Sequence, residues 1–205
     1  AEMQEADGKK ADGQTGKLQR NTLIIAPASL VYNWSNEIQR FAPELTAKMV
    51  TGTVAERRQI LAEADSEDIL LTSYDLLKRD ISEYEGYKFR CEIIDEAQYI
   101  KNANTQAAKA VKEVQADFRL ALTGTPVENR LSELWSIFDY LMPGFLYSYK
   151  KFREEVEIPA VQNSDEDAMK RLQKMIRPFV LRRLKKEVLT DLPDKLEENM
   201  FVQLT

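Results

Sequence analysis

Two adjacent carboxylates, Asp95 and Glu96, follow directly on the apolar run Ile93-Ile94 and lead into Ala97-Gln98. Acids placed where an apolar strand ends lie at the edge of a sheet where ligands bind in open α/β folds. An Asp there can hold Mg²⁺, directly or through water, on the β- and γ-phosphates of a nucleotide, while an adjacent Glu that points elsewhere can orient and deprotonate an attacking water. The same pair can equally be two solvated acids in a strand-to-helix loop. A second run, Leu122-Thr123-Gly124-Thr125-Pro126, also ends a β-rich stretch. Its small residues permit close backbone approach and its hydroxyls can donate to phosphate or carboxylate oxygens, although Gly and Pro also make ordinary turns. Its place one strand-helix unit after the acids opens both loops onto one sheet edge.

Two weaker runs share that logic. Ala26-Pro27-Ala28-Ser29 follows the first apolar strand, with Ser29 positioned to cap the next helix, and Thr72-Ser73-Tyr74 follows Leu71. Helix N-termini with free N–H groups and nearby hydroxyls take phosphate readily, but capping alone accounts for both runs. Tyr32, Trp34 and Phe41 recur at helical spacing and read as packing residues rather than base-stacking platforms. Cys91 has no base beside it and reads as a small core residue. Arg177, Arg182, Arg183, Lys185 and Lys186 form a basic run that suits DNA or a solvated interdomain face equally.

The elements that must position these groups alternate. Strands are expected at Leu23–Ala26, Leu45–Val50, Ile69–Thr72, Cys91–Asp95 and Phe118–Thr123, with helices at Leu30–Phe41, Val54–Ala64 and about Thr105–Val114 between them. Short apolar strands separated by helices belong to a parallel sheet covered by helices on both faces, so the class is α/β. Beyond Pro126 the pattern turns helical: Leu131–Leu141 is amphipathic and stops at Met142-Pro143-Gly144. A further helix runs to Met175, with Ser164 or Asp165 as its cap, and Phe201–Leu204 reads as one more strand. Residues 1–20 hold three glycines, many charges and almost no large apolar side chains, and are expected to be a flexible polar segment.

Composition removes whole classes of chemistry. The 205 residues contain no histidine and one cysteine, which excludes His-based metal sites, His bases and an internal disulfide framework. A net charge of −5 argues against a uniformly basic nucleic-acid module, so any DNA contact must be local. No apolar run approaches the roughly 20 residues of a membrane helix, and no signal sequence opens the chain. An intracellular setting, in cytoplasm, nucleoid or nucleus, is the expectation.

Taken in order, these runs resemble the SWI/SNF-type helicase-like ATPases of helicase superfamily two. Leu23–Trp34 is similar to the family's motif Ia, Leu71–Tyr74 to motif Ib, Asp95–Gln98 with Ile100-Lys101-Asn102 to motif II, Leu122–Asn129 to motif III, and Pro178–Val188 to the stretch closing the first lobe. The resemblance covers nearly everything after Asn21. It implies a RecA-like lobe that works with a second lobe to hydrolyse ATP and move along double-stranded DNA without separating its strands, acting on some protein target. By that likeness Asp95 is the Mg²⁺ carboxylate and Glu96 the catalytic base. Gln98, Thr123, Gly124 and Thr125 belong to the nucleotide site, and Ala28, Ser29, Thr72 and Ser73 touch the DNA backbone. Residues 21–140 would be the partial lobe, 141–176 a helical protrusion and 177–205 the closing brace.

One departure stands out. The family's phosphate-binding loop precedes motif Ia, and the only candidate here is Gly13-Gln14-Thr15-Gly16-Lys17-Leu18. A Walker loop needs Gly-x-x-x-x-Gly-Lys followed by Ser or Thr. Leu18 follows Lys17 and Ala11 stands five before Gly16, so the run fails. The expectation is a piece of a longer protein, inactive by itself. A non-catalytic RecA-like scaffold for protein interaction is the alternative, and a strand-separating helicase would share the same lobe chemistry.

Overall fold

The structure is a computed structural model and describes residues 21–124, 130–162 and 165–183. Its first unit reaches Glu157 and its second starts at Ile158. In the first, β1 (Thr22–Ala26), β2 (Ala47–Met49), β3 (Ile69–Ser73), β4 (Lys88–Ile94) and β5 (Gln115–Ala121) form one parallel sheet in the order β2-β3-β1-β4-β5. The connections are α1 (Val31–Phe41), α2 (Val54–Ala62), α3 (Tyr74–Asp80) and α4 (Gln106–Glu113), and α5 (Leu131–Leu141) follows β5. The expected α/β class is therefore what is observed. The chain steps from β3 over β1 to β4, so β1 lies between the strands that precede the Thr72 and Asp95 loops.

Register explains why these residues make a sheet. Ile24 pairs with Leu71 and with Ile93, while Leu23 and Ile25 pair with Leu70 and Thr72. Leu23, Ile25, Leu70, Phe89 and Ile94 are completely buried beneath α2, α3, α4 and α5. Burial of each such side chain contributes on the order of 2 kcal/mol. The opposite face holds Ile24 and Leu71 under Val31 and Ile38 of α1. Among the described residues that cover ends before the sheet does, and Phe118 and Leu120 of β5 are 67% and 51% exposed.

Local chemistry sets the helix starts. Thr53 and Glu56 form a capping box at α2, Ser73 accepts from Leu76 N–H at α3, and Thr105 accepts from Ala108 N–H at α4. Ser29 does not take the capping role expected of it. It lies inside a 3₁₀ turn, Ala28–Leu30, and neither that turn nor α1 has a side-chain cap. Tyr32 and Phe41 stand 63% and 71% exposed, so of the core or lobe packing expected of them the core is excluded. The helix start expected at Thr72-Ser73-Tyr74 is the N-terminus of α3, capped by Ser73, although no pattern in the sequence bounds that helix.

Two buried ion pairs lock this unit. Arg57 donates to both carboxylate oxygens of Asp80, joining α2 to α3, and also to the carbonyl of Gly52, whose φ of 92° favours glycine. Arg119 of β5 donates to Glu92 of β4 at 3.2 Å and to the carbonyls of Tyr140 and Val114. Burial pushes the Glu92 carboxyl up to about 8, with Arg119 pulling the other way.

After α5 the first unit continues through α6 (Tyr149–Phe152) and a π turn at Arg153–Glu157. The second unit contains α7 (Ile158–Gln162) and α8 (Glu166–Ile176), the latter capped by Asp165, which accepts from Asp167 and Ala168 N–H. The expected strand at Phe201–Leu204, the Gly13–Leu18 run and the basic residues Lys185 and Lys186 lie outside the described residues.

Candidate active site

The C-terminal edge of the sheet gathers the loops that the sequence singled out. Asp95 N–H donates to the Ile25 carbonyl at 2.8 Å, which fixes the acids beside the end of β1. Ala97 N–H donates to the Leu122 carbonyl at 2.8 Å, tying the same turn to the residue after β5. Between these anchors Glu96 adopts φ 52° and ψ 55°, a left-handed conformation that costs a non-glycine residue on the order of 1 kcal/mol. The turn then closes as a 3₁₀ helix, Ala97–Ile100, whose last carbonyl accepts from buried Ser136 of α5 at 2.6 Å.

The left-handed turn sends the two side chains to different partners. Asp95 Oδ1 accepts from Glu96 N–H at 2.8 Å and Oδ2 from the Trp34 indole N–H at 2.9 Å. Its backbone carbonyl accepts from the Tyr74 hydroxyl at 2.7 Å, and the Tyr74 ring stacks on Tyr99 with centroids 5.0 Å apart. Glu96 Oε2 accepts from the Gln98 amide at 2.7 Å, and Gln98 Oε1 accepts from Thr123 Oγ1 at 3.0 Å. A side-chain relay thus runs from the loop after β5 to the second acid. Among the described residues every donor to these carboxylates is uncharged and neither acid forms an ion pair.

That donor set bears on Mg²⁺. Among the described residues no group of three or more His, Cys, Asp or Glu is placed to hold a metal. Mg²⁺ keeps several waters and commonly takes one or two carboxylates together with substrate phosphates. Half-buried Asp95, with both oxygens oriented by neutral donors and, among the described residues, no ion-pair partner, fits that manner of binding.

Other expected residues fall out differently. Ala28 and Ser29 are exposed at the end of β1. Thr72 is completely buried, because its register partner Ile25 places it at the centre of the sheet, and Ser73 is 4% exposed with its hydroxyl capping α3. Neither side chain reaches the surface as expected of a phosphate contact. Gly124 is exposed with open space around it, and Thr125 lies outside the described residues. Sequence reasoning missed Trp34 and Tyr74 as donors to Asp95, though each stands within one turn of a loop already singled out. A depression of about 420 Å³ lies at the opposite end of β4 and β5, lined by Lys88, Lys112 and Arg119 among others. Those cations are held by Asp117, Asp139 and Glu92, so it does not compete as a phosphate site.

Residues 3–205 match the family described as the SNF2-related domain. The chain belongs to the SNF2-related domain family. An ATP-dependent helicase of Mycoplasma genitalium is 42% identical over 184 residues, which cover 90% of this chain and 17% of that protein. The TATA-binding protein-associated factor MOT1 of Saccharomyces cerevisiae is 40% identical across 89% of this chain and 10% of its own length. The solved SWI2/SNF2 ATPase core of Sulfolobus solfataricus in complex with dsDNA is 40% identical with a TM-score of 0.74, over 85% of this chain and 36% of that one. The SNF2-related domain described here thus has the fold of the RecA-like lobe of that core, and spans a fifth or less of these two curated relatives.

Proposed function

We propose that this chain is part of the first ATPase lobe of a SWI/SNF-type translocase that couples ATP hydrolysis to movement on double-stranded DNA. The observation that carries the reading is the pair of carboxylates at the end of β4, held apart by the left-handed Glu96 backbone and, among the described residues, oriented by neutral donors without a counterion. Asp95 would hold the Mg²⁺ that arrives with ATP, which neutralises charge on the phosphates. Glu96 would orient the attacking water and take its proton as the water oxygen bonds to the γ-phosphorus and the bond from that phosphorus to the β–γ bridging oxygen breaks, with ADP as the leaving group. Gln98 fixes the Glu96 carboxylate, and Thr123, with Gly124 and Thr125 in the same loop, links that carboxylate to whatever the loop touches.

Exposed Ala28 and Ser29 are the proposed contacts to a DNA phosphate, with Thr72 and Ser73 ordering the neighbouring loop from beneath. Such contacts carry no base information and weaken steeply with salt. The 205 residues contain no Gly-x-x-x-x-Gly-Lys-Ser/Thr, so hydrolysis is assigned to the full-length protein together with a second lobe, and the chain alone is taken to be inactive. Residues 141–176 would be the protrusion and 177–205 the brace. Among the described residues no helix is long and apolar enough to cross a membrane, and the proposed place of action is wherever the cell keeps its DNA.

A scaffold without catalysis has no physical use for two unpaired acids on a strained turn. The test is Glu96→Gln in the full-length protein. ATP binding should persist while hydrolysis falls by at least ~10², the scale of losing a positioned base. Near-normal turnover would remove Glu96 from this role.

A further inference from the structure

Trp34 combines two contacts. Its ring is half-buried and packs against the cluster formed by Ile24, Val31, Ile38 and Leu71, while its indole N–H donates to Oδ2 of Asp95 at 2.9 Å. It stands in the first turn of α1, directly after the exposed turn Ala28–Leu30. Val31 and Ile38 are buried on the sheet, and Leu30 N–H closes on the Pro27 carbonyl at 2.8 Å, so the turn and the first part of α1 are joined without a loose joint.

The remaining donor to the Asp95 side chain is the backbone N–H of Glu96, on Oδ1. That N–H belongs to the strained turn itself and cannot fix the carboxylate's rotation independently of it. Trp34 supplies the second point, and two points define the plane in which the carboxylate presents its remaining lone pairs. Partners that orient a metal-binding side chain this way are worth about 10- to 100-fold in metal affinity or activity when lost.

We propose that Trp34 is a positioning residue for Asp95, which links the proposed DNA-phosphate turn at Ala28–Leu30 to the proposed Mg²⁺ carboxylate through one helical turn. The inference rests on the reading of Asp95 given above. Displacement of the Ala28–Leu30 turn by a bound phosphate moves the indole, and the indole carries the Asp95 carboxylate with it. Nucleotide-bound metal and duplex DNA therefore sense each other across the first turn of α1, without any change in the sheet.

The experiment uses the full-length protein with Trp34→Phe, which keeps the aromatic packing and deletes the donor, and Ile38→Val, which loosens the same face of α1 and leaves the donor alone. Mn²⁺ binding in the presence of ADP, followed by electron paramagnetic resonance with and without duplex DNA, is read beside steady-state kinetics. Trp34→Phe should weaken Mn²⁺ about tenfold, abolish the effect of DNA on Mn²⁺ affinity, and lower kcat about tenfold with KM for ATP little changed. Ile38→Val should match the unaltered protein in Mn²⁺ affinity. Wild-type Mn²⁺ affinity and DNA response in Trp34→Phe would overturn the inference alone, as would the same loss in Ile38→Val. An unaltered protein that never hydrolyses ATP would overturn the proposed function and this inference with it.

Discussion

Glu92 and Asp95 sit three residues apart on one strand and its end, and the protein treats them in opposite ways. Glu92 is completely buried and faces the Arg119 guanidinium, with Tyr140 packed over that guanidinium at 5.2 Å. Asp95 is half-buried and receives only an indole N–H and a backbone N–H. A buried carboxyl with a guanidinium built in beside it serves the fold, since away from water it depends on that neighbour and on its proton. One given orientation by neutral donors alone, among the described residues, suits the proposed role of meeting a cation from outside. Proximity on a strand therefore says little about role, and the sign of the neighbouring donors says more.

The comparison breaks first at Arg119. Arg119→Ala leaves the buried Glu92 carboxyl and the Tyr140 and Val114 carbonyls without their donor and should cost about 2 kcal/mol in urea unfolding, the scale for leaving buried polar groups unsatisfied. A loss below about 1 kcal/mol would mean that Glu92 is not held by this contact. The reciprocal change, Asp95→Asn in the full-length protein, keeps oxygen and shape but removes the charge. Hydrolysis should fall on the order of 10²-fold while melting stays within about 0.5 kcal/mol of the unaltered protein. Destabilisation comparable to Arg119→Ala would place Asp95 in the structural class.

Glu92→Gln sharpens the contrast through pH. The folded carboxyl is pushed up to about 8, above the roughly 4.3 of an unfolded glutamate, so the native state holds a proton that the unfolded chain releases. Stability from this group is therefore present below the unfolded value, falls as pH rises between the two, and levels off above about 8. Denaturation series at several pH values should show that decline in the unaltered chain and a flatter profile in Glu92→Gln. Parallel profiles would show that Glu92 does not titrate in this window. The smallest effect concerns β5, whose apolar face is uncovered among the described residues. Phe118→Glu with Leu120→Glu should lower self-association of the 205-residue chain in sedimentation velocity. A strictly monomeric parent chain would remove the premise.

Much of this was legible because it is local. Leu23–Ala26 and Ile69–Thr72 are uninterrupted apolar or β-branched runs, and a strand buried on both faces needs nothing else. The acid pair announced itself by following Ile93-Ile94. Only the start of Tyr74–Asp80 was legible, from the capping residues Thr72-Ser73, because a seven-residue helix offers two turns of periodicity from which to read its extent. Thr72 was misjudged because its hydroxyl drew notice, whereas its register against Ile25 decides its burial. The indole donor at Trp34 was beyond sequence reading. It depends on β4 lying directly beside β1, a consequence of the crossover from β3 that no local pattern records.

The left-handed backbone of Glu96 sets the chemistry of its position against the stability of the fold. Glycine there would relax the conformation and, on backbone grounds alone, raise stability by about 1 kcal/mol. It would also delete the carboxylate that Gln98 fastens. A library selected only for thermal resistance should therefore drift toward glycine or asparagine at position 96, and one selected for turnover should hold glutamate there at the expense of melting temperature.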